Sequence, residues 1–227
     1  MPIRKEQFAK DEIYHIILRG LDDNLIFKDI NDYYRGIFSI YEFNNANPIE
    51  IRKRRQARRK EKKKEKGGSP SSATFEKRDR YVDILCFCFM PNHIHFLIKE
   101  IREKGITTFM SNFQNSYAKY FNTKTGRTGS LFQQNFKAVR VESDEQLTHV
   151  SRYIHLNPIT AYLINSVEEL IDFPWSSYPE YISKGKSNLN KDLVLGNFRS
   201  INDYKKFVAD QVDYQRELDK IKHIILE

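Results

Sequence analysis

Two histidines one residue apart, His93 and His95, close the strongly apolar stretch Phe89-Met90-Pro91-Asn92-His93-Ile94-His95-Phe96-Leu97-Ile98. Side by side on one surface, two imidazoles can share a divalent cation. They share a surface if they lie on a strand, where side chains alternate between faces and Ile94 and Phe96 point the other way. A lone histidine beside a core is ordinarily packed and hydrogen-bonded, so the pair is the informative feature. The two cysteines, Cys86 and Cys88, are also two apart, but they lack the C-x-x-C spacing of a redox or zinc site and read as buried free thiols.

A second concentration of chemistry lies at Tyr153 and Asn157, four residues apart and so one turn along the same face of a helix. Ser143-Asp144-Glu145 is the start signal of that helix, and Leu147, Val150 and Ile154 supply its apolar side. Pro158 disfavours helical backbone at Asn157, which predicts an end or a kink there. On this segment alone two readings stay open: a tyrosine and an amide presented together, or a core tyrosine and a capping asparagine.

The elements that must position these residues follow from periodicity. Tyr81 to Phe89 is rich in Val, Ile and Phe, Met90-Pro91-Asn92 is turn chemistry, and the pair of runs predicts a β-hairpin. Residues 12–19 (EIYHIILR) read as an earlier strand ended by Gly20 and Asp22-Asp23. From Asn31 a helix is predicted, with Asn31 or Asp32 as cap and Tyr34, Phe38, Tyr41 and Glu42 at helical spacing. Residues 106–122 place Phe109, Phe113, Tyr117, Tyr120 and Phe121 on one stripe of an amphipathic helix. A Gly-containing loop (123–130) and a strand (131–141) follow. Lys119, Lys124, Arg127, Lys137 and Arg140 cluster there without an acid between them, a local patch that could meet a phosphate backbone.

The overall charge of +8 is misleading until it is mapped. Residues 51–66 hold eleven Lys or Arg and two Glu, which leaves the rest of the chain at −1. Gross basicity therefore says nothing about the folded part, and the tract reads either as a solvated charge run or as a nucleic-acid-binding arm. With Gly67-Gly68-Ser69-Pro70-Ser71-Ser72 it forms a basic, flexible insertion over about residues 46–79. Residues 1–180 are expected to form one domain, and 181–227 a helical appendage. No stretch has the apolar length of a membrane span, and Met1-Pro2-Ile3-Arg4-Lys5 lacks a signal-peptide core, so the expected location is cytoplasmic.

Taken together, Met90 to Ile98, Tyr120-Phe121-Asn122 through Gly126-Arg127-Thr128-Gly129-Ser130-Leu131-Phe132-Gln133, Ser151 to Pro158, and Pro174-Trp175-Ser176-Ser177-Tyr178 resemble the successive signatures of the single-tyrosine HUH transposases. The REP-associated tyrosine transposase branch of the insertion-sequence-200-like family is the nearest resemblance. Several motifs in order over about residues 10–180 are far more specific than any one of them. The resemblance implies an α+β domain with a central antiparallel sheet flanked by helices, ferredoxin-like or RRM-like, acting on single-stranded DNA near imperfect palindromes. It implies His93, His95 and Asn157 as ligands of Mg²⁺ or Mn²⁺, Tyr153 as nucleophile, and Arg19 among the DNA contacts. Cleavage would pass through a 5′-phosphotyrosine, by a monomer or a homodimer associated with the nucleoid. Leu18 and Asn135 depart from the family pattern at positions where related chains often carry Asn and a basic residue. His149, one turn before Tyr153, is an extra candidate ligand or acid/base, whereas His155 faces elsewhere on an ideal helix.

Three functions stay in view at this stage. The first is a catalytic transposase or nickase, and the second a domesticated DNA- or RNA-binding protein that keeps the fold without transposition. The third, a histidine-triad phosphoesterase, would need another alternating histidine where Leu97 stands. Trp175 reads as a packing anchor, with base stacking as the alternative.

Overall fold

The β-rich run at residue 12 becomes β1 (Ile13–Arg19), and alternation along it buries Tyr14, Ile16 and Leu18 on one side. The computed structural model describes residues 7–47, 79–183, 185 and 187–212. Helix α1 (Ile30–Glu42) follows, then the hairpin β2 (Val82–Met90) and β3 (His93–Glu100), helix α2 (Gly105–Thr125), strand β4 (Lys137–Val141) and helix α3 (Asp144–Thr160). Short helices α4 (Val167–Ile171), α5 (Tyr178–Ile182) and α6 (Asp192–Leu195) lead to α7 (Ile201–Ala209). The strands form one antiparallel sheet in the order β2-β3-β1-β4, and among the described residues the first six of these elements run βαββαβ, a ferredoxin-like α+β arrangement.

The sheet has an apolar face and a chemical face. Leu18 pairs with Ile94, Ile16 with Phe96 and Tyr14 with Ile98, and against this face α2 lays Phe109 and Phe113. Helix α1 packs there too, but only in part by the predicted stripe. Of that stripe Glu42 is buried and Tyr41 packs against the core, but Tyr34 is 59 % exposed, and the other buried positions are Asp32, Gly36, Ser39 and Ile40. Small residues win because the helix lies so close: a Cβ on Gly36 would come within 2.5 Å of the Phe89 ring. The cap is Asp29, in a reciprocal capping box with Asp32, rather than Asn31 or Asp32 alone.

Two further expectations are corrected. The strand predicted over 131–141 is confined to Lys137–Val141. Leu131 and Phe132 instead turn inward and wrap the end of β1, where Leu21 N–H donates to Leu131 O and Gln133 N–H to Arg19 O. Nor does the helix stop at Asn157. Pro158 lacks only its own N–H, while Ala161 N–H donates to Asn157 O and Leu163 and Ile164 N–H to Pro158 O, so the turn closes beyond it.

The Pro174–Tyr178 motif has a structural task. Phe89 N–H donates to Trp175 O, Ser176 bridges Cys88, and Ser177 N–H donates to Phe87 O, so the segment covers the outer edge of β2. Trp175 stacks on Tyr33 with ring centroids 4.7 Å apart, the packing reading. The basic tract and linker lie outside the described residues. At its flanks the chain leaves at Ala46 and returns at Asp79, joined by a 2.7 Å backbone hydrogen bond.

His155 ties the later helices to the sheet edge. Its Nδ1 lies 2.7 Å from the Tyr204 hydroxyl of α7 and its Nε2 2.8 Å from the Ser177 hydroxyl, in full burial. Burial lowers its pKa from 6.5 to about 3. Below pH 6.5 the unfolded chain takes up a proton there that the folded protein refuses, so stability falls as pH drops from 6.5 toward 3. The expected loss from this residue is about 1.4 kcal/mol per pH unit. Urea unfolding of wild type and His155→Gln at neutral and mildly acid pH should show a slope shallower by that amount in the variant. Equal slopes would mean that His155 does not titrate abnormally.

Candidate active site

The chemical face is built by strand register. The turn Pro91-Asn92 sets Met90 opposite His93 and Cys88 opposite His95, and β1 sets Arg19 opposite His93 and Ile17 opposite His95. His93, His95, Arg19, Ile17 and His15 therefore share this face, and β4 adds Lys137 opposite Ile17 and Val139 opposite His15. Helix α3 crosses it. Every residue from Ser151 to Thr160 is buried except Tyr153, which is half-exposed, and its ring meets the His95 ring edge-on with centroids 5.5 Å apart.

The two histidines present themselves similarly. Their rings lie 4.9 Å apart. His93 Nδ1 is 2.6 Å from the Asn92 amide oxygen, so Asn92 accepts its proton and Nε2 carries the lone pair. Burial, then the Arg19 guanidinium, lowers the His93 pKa to about 4 against a smaller opposing effect of Asp23, so the ring is neutral and competent as a ligand at neutral pH. His95 is 1 % exposed and its Nδ1 is 3.0 Å from His15 Nε2. Asn157, one turn beyond Tyr153, is buried, and its Nδ2 donates to the Tyr153 carbonyl, leaving the amide oxygen as the remaining donor atom. Among the described residues no three His, Cys, Asp or Glu side chains form a metal-binding group. Cys88, although level with His95, is buried and its thiol pKa is pushed far up by desolvation, which makes it a poor ligand.

His15 was missed by sequence reasoning. The available signal was alternation: His15 and Arg19 are four apart on one strand and must share a face. Burial lowers the His15 pKa to about 4. With His149, Val139, Gln146 and Val150 it lines a cavity of about 530 Å³ between β4 and α3. His149 itself is engaged, its Nδ1 2.8 Å from Arg152 Nη2 and its ring against Phe207.

The predicted basic patch is not one surface. Arg19 and Lys137 lie on the histidine face, but Arg140 is on the other side of the sheet, opposite Tyr14, with an ion pair to Glu12 at 2.8 Å. Lys124 is held by Asp29 and Asp32, both at 2.6 Å, and with Lys119 lines a groove between α1 and α2, the helices of the apolar face. Arg127 follows the Gly126 cap of α2, its N–H donating to Asn122 O. The acids that neutralise Lys124 and Arg140 are remote in sequence, which is why the patch looked unopposed. The rival tyrosines are committed as well. Tyr117 is fully buried with its hydroxyl donating to Ile26 O at 2.6 Å, and the Tyr120 hydroxyl donates to Asp32 Oδ1 at 3.0 Å.

The site is thus a His-x-His pair on one face of a ferredoxin-like sheet with a helix-borne tyrosine laid against it. Residues 48–157 match the family model of IS200-like transposases. A solved REP-associated tyrosine transposase bound to a REP hairpin shares the fold, at 13 % identity and a TM-score of 0.53 over 82 % of this chain and 87 % of that one. A tRNA(His) guanylyltransferase from Saccharomyces cerevisiae aligns over 86 % of this chain and 81 % of its own at 14 % identity, with a TM-score of only 0.28. No curated protein matches. No helix among the described residues is long and apolar enough to cross a membrane.

Proposed function

We propose that this chain is a metal-dependent, single-tyrosine transposase that cuts and rejoins single-stranded DNA beside imperfect palindromic hairpins. The observation that carries the reading is the seating of the half-exposed Tyr153 ring against His95, with His93 alongside. The hairpin-bound structural relative and the family match support the substrate class.

The donor set fits a hard divalent cation. Two imidazoles and one amide oxygen, that of Asn157, are too few ligands for a closed zinc site, whereas Mg²⁺ or Mn²⁺ would keep room for water and phosphate oxygens. When bound, the cation would act as a Lewis acid on the scissile phosphate. Tyr153 Oη attacks phosphorus and loses its proton to solvent. The P–O bond to the 3′ side breaks, and the departing 3′ oxygen takes up a proton. The products are a 5′-phosphotyrosine and a free 3′-hydroxyl. Arg19, beside His93, and Lys137, one strand away, bind flanking phosphates. In the reverse step a new 3′-hydroxyl attacks phosphorus and the phenolate leaves, which a phenol of pKa about 10 does far more readily than an alkoxide. No nucleotide is consumed, in keeping with a sequence that has no G-x-x-x-x-G-K-[ST] loop.

The test is a labelled single-stranded oligonucleotide carrying an imperfect palindrome and its flanks from beside the gene, incubated with the full chain and Mn²⁺ or Mg²⁺. An adduct that survives denaturing electrophoresis is expected. Tight hairpin binding with no adduct under either metal would favour a domesticated binding protein instead.

A further inference from the structure

His15 takes no part in that chemistry, yet it touches both of its principal residues. Its ring lies nearly parallel to that of His95, 19° apart with centroids at 5.3 Å, and meets the Tyr153 ring edge-on at 5.8 Å. On β1 it pairs with Leu97, so it reaches diagonally across the strands to His95. The contact is between His15 Nε2 and His95 Nδ1, at 3.0 Å.

A nitrogen-to-nitrogen hydrogen bond holds one proton, and the ring that carries it decides what His95 can do. If His15 donated, a neutral His95 would accept at Nδ1 and carry its own proton on Nε2, the nitrogen that must be bare to bind a cation. If His95 donates from Nδ1, its Nε2 keeps the lone pair. His93 already has the second arrangement, because its Nδ1 faces the Asn92 amide oxygen, which can only accept.

We infer that His15 is a positioning residue whose Nε2 accepts the His95 Nδ1 proton, doing for His95 what Asn92 does for His93, so that both rings offer Nε2 as ligand. The inference rests on the reading of His93 and His95 as metal ligands. His15 is not itself a third ligand here: its nitrogen nearest the pair is committed to His95, and no three-residue metal group forms among the described residues.

Two measurements test this. Long-range ¹H–¹⁵N correlation spectra of the metal-free wild type read the His95 tautomer directly, and the Nδ1–H form is expected. Calorimetric titration with Mn²⁺ alone then compares wild type with His15→Leu and His15→Gln, with His95→Ala as the control for the site. His15→Leu should weaken Mn²⁺ binding about 10- to 100-fold. His15→Gln, whose amide oxygen remains an acceptor, should stay within about threefold of wild type. An Nε2–H tautomer of His95, a His15→Leu variant that binds Mn²⁺ like wild type, or equal loss in the Leu and Gln variants would each overturn the inference. If wild type takes up no Mn²⁺, the metal reading itself fails, and the tautomer spectrum still decides for or against His15. If His15→Leu does not fold, the Gln variant and the wild-type spectrum carry the test.

Discussion

Replacing Tyr153 with phenylalanine should eliminate the covalent protein–DNA adduct, lowering its yield by about 10⁴-fold or more, because it removes the nucleophilic oxygen. Only one atom is removed, from a half-exposed ring, so stability should change by less than about 1 kcal/mol. Metal and hairpin binding should persist. The competing tyrosines make the prediction sharp. Tyr117 would have to break a buried 2.6 Å hydrogen bond to Ile26 O, and Tyr120 one to the Asp32 carboxylate. Peptide mapping of the wild-type adduct should find the phosphotyrosine at position 153. A modified peptide containing Tyr117 or Tyr120 would move the active site to the other side of the sheet.

The second large effect is expected at the histidines. His93→Ala and His95→Ala should each reduce cleavage about a thousandfold or more, and EDTA should do the same to the wild type, since metal activation of a phosphate is worth several kcal/mol. Hairpin affinity should stay within about tenfold, because contacts to phosphates outside the site supply most of it. The two variants should differ in stability. His95 is 1 % exposed in the heart of the sheet, so its truncation should cost about 2–4 kcal/mol, and the less deeply buried His93 less. Circular dichroism and urea unfolding separate that cost from lost chemistry. Cleavage that persists in EDTA or in either folded alanine variant would make the pair structural and exclude the proposed mechanism.

The arrangement of the candidate site was legible wherever it depends on local geometry. A strand repeats every two residues, so His93 and His95 had to share a face once the hairpin was recognised, and Tyr153 and Asn157 had to align once the Ser143 cap started a helix. The Ser143 side chain does accept from Gln146 N–H, and Met90 does pair with His93 across the turn. Local rules failed where packing outvoted them. Aromatic spacing in α1 pointed to Tyr34 and Phe38, but close approach to Phe89 selected Gly36 and Ser39 for the interface. Pro158 was expected to end or kink α3 at Asn157, but the helix runs on to Thr160 and backbone donors beyond the proline close the turn.

By itself the sequence determined which side chains could act together within one strand or one helix, because those separations are set by backbone periods of a few residues. Only the tertiary structure decided which strands are neighbours, and with that which distant groups meet. It brought His15 within 3.0 Å of His95 across 80 residues of sequence, and it set Lys124 against Asp29 and Asp32, more than 90 residues away. It put Arg19 and Lys137 on the histidine face while sending Arg140 to the opposite side and to Glu12. The order β2-β3-β1-β4 is what does this, and it arises from burying one apolar face of four strands beneath two helices, a cooperative solution that no single segment encodes.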